Sequence, residues 1–316
     1  MATKVFIDGA AGTTGLEIRE RLSGRREVQL VALDDARRKD PAARADALNE
    51  NDVVVLCLPD DAAREAVSLI TNPAVRVIDP STAHRTMEGW VYGFPEMAPK
   101  QREAIRHSTR LSNPGCYSTG FIALMAPLVR AGLLPADAPY TCNAVSGYSG
   151  GGRGIITEFE DKAAPNFTQE VFRTYALALQ HKHVAEMQMH SGLTHRPLFA
   201  PSVGRYYRGM LVEVPLQLWS LKTTPSVAQL HQALADSYSG EPLVKVAPLA
   251  DSAKLKTLDA EGMKNTNRMK LYVFGDEALR QARLVAVLDN LGKGAAGAAV
   301  QNLNAMMGWP ETEGLL

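Results

Sequence analysis

Lys4-Val5-Phe6-Ile7-Asp8-Gly9-Ala10-Ala11-Gly12-Thr13-Thr14-Gly15 opens the chain with an apolar run and a glycine turn, and the helix-like segment Thr14 to Leu22 follows. That order reads as strand, tight turn and helix, the first half of a βαβ unit. Glycine permits a sharp reversal and a close backbone approach to a pyrophosphate, whose charge suits the positive end of a helix. The spacing is GxxGxxG, not the commoner GxGxxG, so the turn alone is a weak sign. Its place in the first βαβ unit makes a dinucleotide the expected ligand, held by Gly9, Gly12, Thr13, Thr14 and Gly15.

Outward from this turn the pattern repeats. Val28 to Leu33 reads as a second strand, and Asp52 to Leu58 as a buried central strand stopped by Pro59. Ala62 to Ile70 returns as a helix and Val75 to Ile78 as a further strand. Alternating strands and helices indicate a Rossmann-type, doubly wound parallel sheet. Beyond Cys116 the texture changes to glycine-rich loops and alternating strand candidates, among them Gly209 to Leu218, Leu271 to Phe274 and Leu284 to Leu288. Lys293 to Met307 is alanine-rich and helical. The expected fold is α/β, with two domains. Residues 1–115 with 291–316 form the nucleotide-binding domain, and 116–290 an α+β catalytic and oligomerisation domain with a mainly antiparallel sheet.

About 20 residues past the glycine turn stands Asp34-Asp35-Ala36-Arg37-Arg38-Lys39. An acid there suits the ribose 2′-hydroxyl of NAD and an arginine the 2′-phosphate of NADP. Three consecutive cations favour NADP through Arg37 and Arg38, while Asp34 keeps NAD open.

Composition narrows the function classes. The 316 residues are 46% hydrophobic and 22% charged, as in an ordinary soluble protein. Formal net charge is zero, so no field gathers nucleic acid or anionic lipid. No apolar run reaches the length of a membrane span, and the chain enters its first strand without a leader. The three cysteines form no CxxC pair, which points to reduced thiols in the cytoplasm.

One of those cysteines stands apart. Ser112-Asn113-Pro114-Gly115-Cys116-Tyr117-Ser118-Thr119-Gly120 precedes the apolar run Phe121 to Val129 and reads as a turn placing a thiol on the first turn of a helix. Pro114 fixes one backbone angle and Gly115 permits an unusual one. The macrodipole and the free amides of a helix N-terminus favour the thiolate, which is the nucleophile. Cys57, inside Val53-Val54-Val55-Leu56-Cys57-Leu58, and Cys142, in the strand-like Tyr140 to Ala144, read instead as small buried apolar residues.

A thioester-forming cysteine needs an acid/base. His181-Lys182-His183-Val184-Ala185-Glu186 supplies two imidazoles and, three residues after the second, a carboxylate able to orient one of them. No other His, Cys or Asp clusters nearby, so a metal is not expected. His107, His190, His195 and His231 stand alone and read as structural or exposed; His84 lies beside a motif but need not act. Ser146-Gly147-Tyr148-Ser149-Gly150-Gly151-Gly152-Arg153-Gly154 has no helix of the nucleotide type behind it and reads as a flexible loop. Its Ser149 and Arg153 suit an anionic substrate group.

With these motifs in place the chain resembles the N-acetyl-gamma-glutamyl-phosphate reductase family in its shorter form, over essentially its whole length. The resemblance runs through Gly9 to Gly15, Cys57-Leu58-Pro59 to Arg64, and Ile78-Asp79-Pro80-Ser81 to Arg85. It continues in Tyr92-Gly93-Phe94-Pro95-Glu96, the Cys116 run, the Ser149-to-Arg153 loop, His181 to His183 and Arg208-Gly209-Met210. Asp289-Asn290-Leu291-Gly292-Lys293-Gly294-Ala295 and the Cys116 run are its most specific parts.

The resemblance implies NADPH-dependent reduction of N-acetyl-L-glutamyl 5-phosphate, a small-molecule acyl phosphate, through a Cys116 thioester. His181 and His183 would share the acid/base role, and Ser149, Arg153, Arg208 and Glu186 would face the substrate. Pro59, Ser81 and Asn290 would join the cofactor site, and the protein would be a homodimer or homotetramer. Ala185 departs from the proline that the family often has before this glutamate, which removes no reactive group. A related acyl-phosphate reductase, such as aspartate-semialdehyde dehydrogenase, and a non-catalytic NADP-sensing protein are the competing readings. The His-x-His segment and the Ser/Gly-rich loop argue against the first, and the placement of Cys116 against the second.

Overall fold

The fold was obtained as a computed structural model, which describes residues 2–34, 37 and 40–315. By internal contacts the chain divides into two units: 1–95, 100–114 and 295–316 in one, and 96–99 and 115–294 in the other.

The first unit carries six strands: β1 (Thr3–Asp8), β2 (Val28–Val31), β3 (Val53–Leu56), β4 (Arg76–Asp79), β5 (Val91–Tyr92) and β6 (Arg110–Ser112). All pair in parallel in the order β2-β1-β3-β4-β6-β5, the Rossmann-type sheet expected from the alternation. Helices α1 (Thr13–Leu22), α2 (Pro41–Asn49), α3 (Asp60–Leu69) and α4 (Gln101–His107) connect the strands, and Gly297–Met307 closes the unit. Every residue of β3 is buried, as a central parallel strand covered on both faces requires. Phe6, Leu48, Val54, Leu56, Ala63, Ala66, Val75 and Val77 form one core here. Burying each large side chain of that set is worth about 1.5–3 kcal/mol.

In the second unit α5 (Cys116–Arg130) comes first. After it come β7 (Thr141–Gly147), α6 (Gly152–Glu160), β8 (Phe172–Thr174), α7 (Val184–Ser191), β9 (Leu198–Gly204) and β10 (Met210–Gln217). The chain then forms α8 (Val227–Ser237), β11 (Val244–Val246), α9 (Leu249–Ser252), β12 (Met269–Asp276) and β13 (Gln281–Leu288). The strands make one sheet, ordered β11-β12-β13-β10-β7-β9-β8. Four of its six pairings are antiparallel; β11 with β12 and β7 with β9 run parallel. The expected mainly antiparallel sheet is therefore borne out as a mixed one.

Residues Tyr117 to Leu128 of α5 are all buried, which explains why this helix is apolar on every side. It packs on β10 and β13 at Gly120, where an added Cβ would meet Val212 Cγ2 at 2.8 Å. That close crossing sets the depth at which the helix, and the cysteine at its start, rest on the sheet.

Two expectations change. The Ser146–Gly154 stretch does lead into a helix, α6, which already begins at Gly152. The loop itself is not free, because Gly147, Tyr148 and Ser149 donate their amides to the carbonyls of Gly209, Tyr206 and Tyr207 at 2.9–3.0 Å. Glycine spacing conveys a turn but not the strand-like lacing that fixes it.

Candidate active site

Cys116 is the first residue of α5 and half-buried. Gly115 caps the helix with φ −76° and ψ 148°, so it does not use the unusual angle expected of it. Its amide explains the turn better, donating to Glu186 Oε2 at 3.1 Å. Gly115 supplies no side-chain cap of its own, so the positive end of the helix faces the Glu186 carboxylate and the cysteine together. From behind, Gly294 presses on the same residue: a methyl there would lie 2.8 Å from Cys116 Cβ and 3.3 Å from its Cα.

Glu186, 1% exposed, stands in the first turn of α7 with its other oxygen 4.0 Å from His183 Nε2. One carboxylate thus holds the turn before the cysteine and lies beside an imidazole. The His183 amide donates to His181 Nδ1 at 3.1 Å, so a neutral His181 carries its proton on Nε2. That nitrogen lies 3.5 Å from the Tyr175 hydroxyl, which burial pushes up to about 12 and keeps neutral. The two histidine rings meet edge to face at 4.7 Å, and Tyr117 lies about 6 Å from each (6.0 and 5.9 Å). Burial also raises Tyr117, whose hydroxyl donates to the Ser202 carbonyl.

Sequence reading missed Tyr117 and Tyr175. Tyr175 meets His181 through a turn in which Ala176 and Leu179 take φ 54° and 59°. Neither residue type advertises a left-handed backbone.

Of the other expected substrate residues, Ser149 is buried and accepts from Asn290 Nδ2 at 2.9 Å. Asn290 Oδ1 takes the Gly209 amide at 2.8 Å, so its side chain ties two loops of this unit together. Arg208 donates through Nε to the buried Asp289 at 2.7 Å, and Arg153 is exposed at the start of α6.

In the first unit Gly9 has φ 82°, and a Cβ there would overlap the Cys57 carbonyl oxygen at 2.2 Å. Gly15 meets Gly9 O and Ala10 almost as closely, and Gly12 enters α1 extended with no side-chain cap. Thr13 and Thr14 therefore present uncapped amides over a floor without side chains, which fits a pyrophosphate. Arg37 is exposed with its amide on Asp34 Oδ1; Arg38 lies outside the described residues. Pro59 caps α3, and Ser81 hydrogen-bonds both oxygens of the buried Asp79 at 2.8 Å. Asp79 also holds His84, which stacks on Trp90 at 4.0 Å, a structural assignment for that histidine.

Cys142 is buried, as expected of a small apolar residue, whereas Cys57, just past β3, is only half-buried, as Cys116 is. Burial pushes the Cys57 thiol up to about 12, helped by Asp79 and Asp8, and raises that of Cys142 still further. Among the described residues no group of three His, Cys, Asp or Glu side chains could hold a metal, and no helix is long and apolar enough to cross a membrane.

Comparison with known proteins agrees with this geometry. A model described as semialdehyde dehydrogenase, NAD binding domain, matches residues 4–106, and one described as semialdehyde dehydrogenase, dimerisation domain, matches 116–290. N-acetyl-gamma-glutamyl-phosphate reductase 2 of Nostoc sp. is 52% identical over 99% of both chains. N-acetyl-gamma-glutamyl-phosphate reductase of Brucella anthropi is 52% identical over 98% of this chain and 99% of its own. Aspartate semialdehyde dehydrogenase II of Vibrio cholerae, solved with ASA, superposes with a TM-score of 0.69 over 97% of this chain and 98% of its own. The Francisella tularensis enzyme gives 0.69 over 96% and 99%. At 16% and 14% identity these two show the fold alone. The chain belongs to the semialdehyde dehydrogenase family, among the N-acetyl-gamma-glutamyl-phosphate reductases.

Proposed function

We infer that this protein reduces N-acetyl-L-glutamyl 5-phosphate to N-acetyl-L-glutamate 5-semialdehyde and phosphate, a step of arginine biosynthesis. The observation that carries this reading is Cys116 on a helix terminus beside the His181, His183 and Glu186 group.

The Cys116 thiolate attacks the γ-carbonyl carbon, the carbon–oxygen bond to phosphate breaks, and a thioester remains. Hydrogen-bonded order around the nucleophile matters because misplacement by an ångström is costly. The histidine pair accepts the thiol proton, hydrogen-bonds the carbonyl oxygen with it while charge develops there, and returns it to the sulfur when the carbon–sulfur bond breaks. Glu186 keeps the Gly115 turn and His183 in one arrangement. When bound, NADPH supplies the hydride that makes the thioester carbon an aldehyde carbon, with Cys116 leaving as thiolate. Gly9, Gly12, Thr13, Thr14 and Gly15 would hold its pyrophosphate, Arg37 and Arg38 its 2′-phosphate, and Pro59 and Ser81 line the same strand ends. Ser149, Arg153 and Arg208 would meet the acidic groups of the substrate, and Asn290 would hold the Ser149 loop and Gly209 in place.

The match to a dimerisation domain supports a homo-oligomer, built on the sheet face where Leu211, Leu258, Phe274 and Val285 line a hollow of about 460 Å³. A cytoplasmic setting suits reduced thiols.

Steady-state oxidation of the N-acetylated semialdehyde with phosphate, run with NADP and with NAD, tests the reading. Turnover with NADP and its loss in Cys116→Ser are expected, by a factor on the order of 10⁴ or more. Full turnover in Cys116→Ser would overturn the thioester, and preference for the aspartate semialdehyde would overturn the substrate.

A further inference from the structure

Lys293 is 1% exposed and forms two 2.8 Å hydrogen bonds to Glu96, whose side chain is completely buried. Both residues belong to the unit that contains Cys116. A buried pair of this kind is weak evidence for stability, because apolar side chains of like volume often serve as well. Its neighbours suggest what it does instead. Lys293 lies in a π-helical turn, Gly292–Ala296, a rare geometry that is frequent at functional sites. Asp289 fixes the entry to that turn, accepting the Leu291 and Gly292 amides at 2.8 and 3.1 Å on Oδ1 and the Gly294 amide at 2.9 Å on its carbonyl. Gly292 is pressed so close to Thr266 that a Cβ would lie 2.1 Å from its carbonyl oxygen. Gly294, next to the lysine, is the residue that backs onto Cys116. At the other side of the pair, the Met97 carbonyl beside Glu96 accepts Arg130 Nη1 at 3.1 Å, and Arg130 ends the helix that Cys116 begins.

We propose that the Lys293–Glu96 pair is a positioning device for the nucleophile: it locks the turn so that Gly294 forms a backstop aiming the Cys116 side chain. The inference rests on Cys116 being the nucleophile. Two charge-assisted hydrogen bonds from one ammonium to both carboxylate oxygens hold the pair at one separation, whereas an apolar pair fills the same space but can slide. Both glycines make the turn intolerant of any shift, since their contacts leave no room for a side chain.

The test compares wild type with Glu96→Gln, Lys293→Met, the double variant Glu96→Leu/Lys293→Met, and Cys116→Ser. Thermal midpoint, Cys116 alkylation by iodoacetamide, and kcat and KM with the semialdehyde, phosphate and NADP are measured on the full-length protein. The single variants should lose thermal stability, which the double variant should regain. In the double variant alkylation and kcat should stay roughly 100-fold down, with KM within about threefold of wild type. A double variant with wild-type alkylation and kcat, or one that never folds, would make the pair purely structural and overturn the proposal. Turnover retained by Cys116→Ser would instead remove the nucleophile reading itself, so the two failures are distinguishable.

Discussion

The helix beginning at Thr13 and the helix beginning at Cys116 enter through nearly the same backbone. Gly12 caps the first at φ −74° and ψ 161°, Gly115 the second at φ −76° and ψ 148°, and neither glycine supplies a side-chain cap. Both leave amides and the positive end of a dipole for an anion. What surrounds them differs. Around the first, Gly9, Gly12 and Gly15 keep side chains away from an exposed turn, as a diffusible phosphate requires. The second is built into a core: Glu186 grips Gly115, Gly294 backs Cys116, and α5 is buried from Tyr117 to Leu128. On the proposed function, one device would serve a ligand that comes and goes and a sulfur that must not move.

Substitutions can break that comparison. The largest effect is expected at Gly9→Ala, where a left-handed angle and backbone overlap with Cys57 should cost about 3 kcal/mol or more. Its control is Gly12→Ala, whose Cβ would clear Gly9 O at 3.4 Å. Thermal melts should show near-normal stability for it, and titration a weakened NADP affinity. Equal melting loss in both would mean that the turn is only structural.

Next comes Gly294→Ala, which should lower kcat by roughly 100-fold while NADP affinity holds, because the methyl meets Cys116 and not the glycine turn. A matching fall in NADP affinity would contradict the separation of roles. Glu186→Gln should have a smaller effect, about 10-fold in kcat. The amide oxygen can still accept from Gly115, but the charge beside His183 is gone. An unchanged rate in that variant would make Glu186 a turn clamp alone.

At neutral pH the smallest effect is that of Cys57, which shows only under alkaline conditions. Cys57 has a folded-state pKa of about 12 against an ordinary 9.0, so the folded protein retains a proton that the unfolded chain releases. Its contribution is intact below pH 9 and is lost as pH rises toward 12. Cys57→Ala should flatten that alkaline limb in denaturant titrations. Iodoacetamide should label native Cys116 before Cys57, and the reverse order would upset the contrast between the cysteines.

Much of this was legible in the chain. The strand at Thr3–Asp8, the glycine turn and the helix behind it are local, because apolar periodicity and glycine act within a few residues. The Cys116 run was legible for the same reason, as was the apolar character that buries α5. Strands β5, β6, β8, β9 and β11 were not read from sequence: β5, β6, β8 and β11 have only two or three residues each, and the pattern of β9 is broken by Pro201. The flexible reading of the Ser146–Gly154 loop failed because its partners, Tyr206 to Gly209, lie far along the chain.

The sequence by itself determined the two sheet types, the site of the thiol and the histidine pair, since each depends on residue type and short spacing. Tertiary structure alone decided which carboxylate reaches Gly115, how Tyr175 meets His181, and that Lys293 and Gly294 sit behind the cysteine. Those contacts join positions tens to nearly two hundred residues apart, or depend on left-handed turns at Ala176 and Leu179, and they form only when the whole unit is packed.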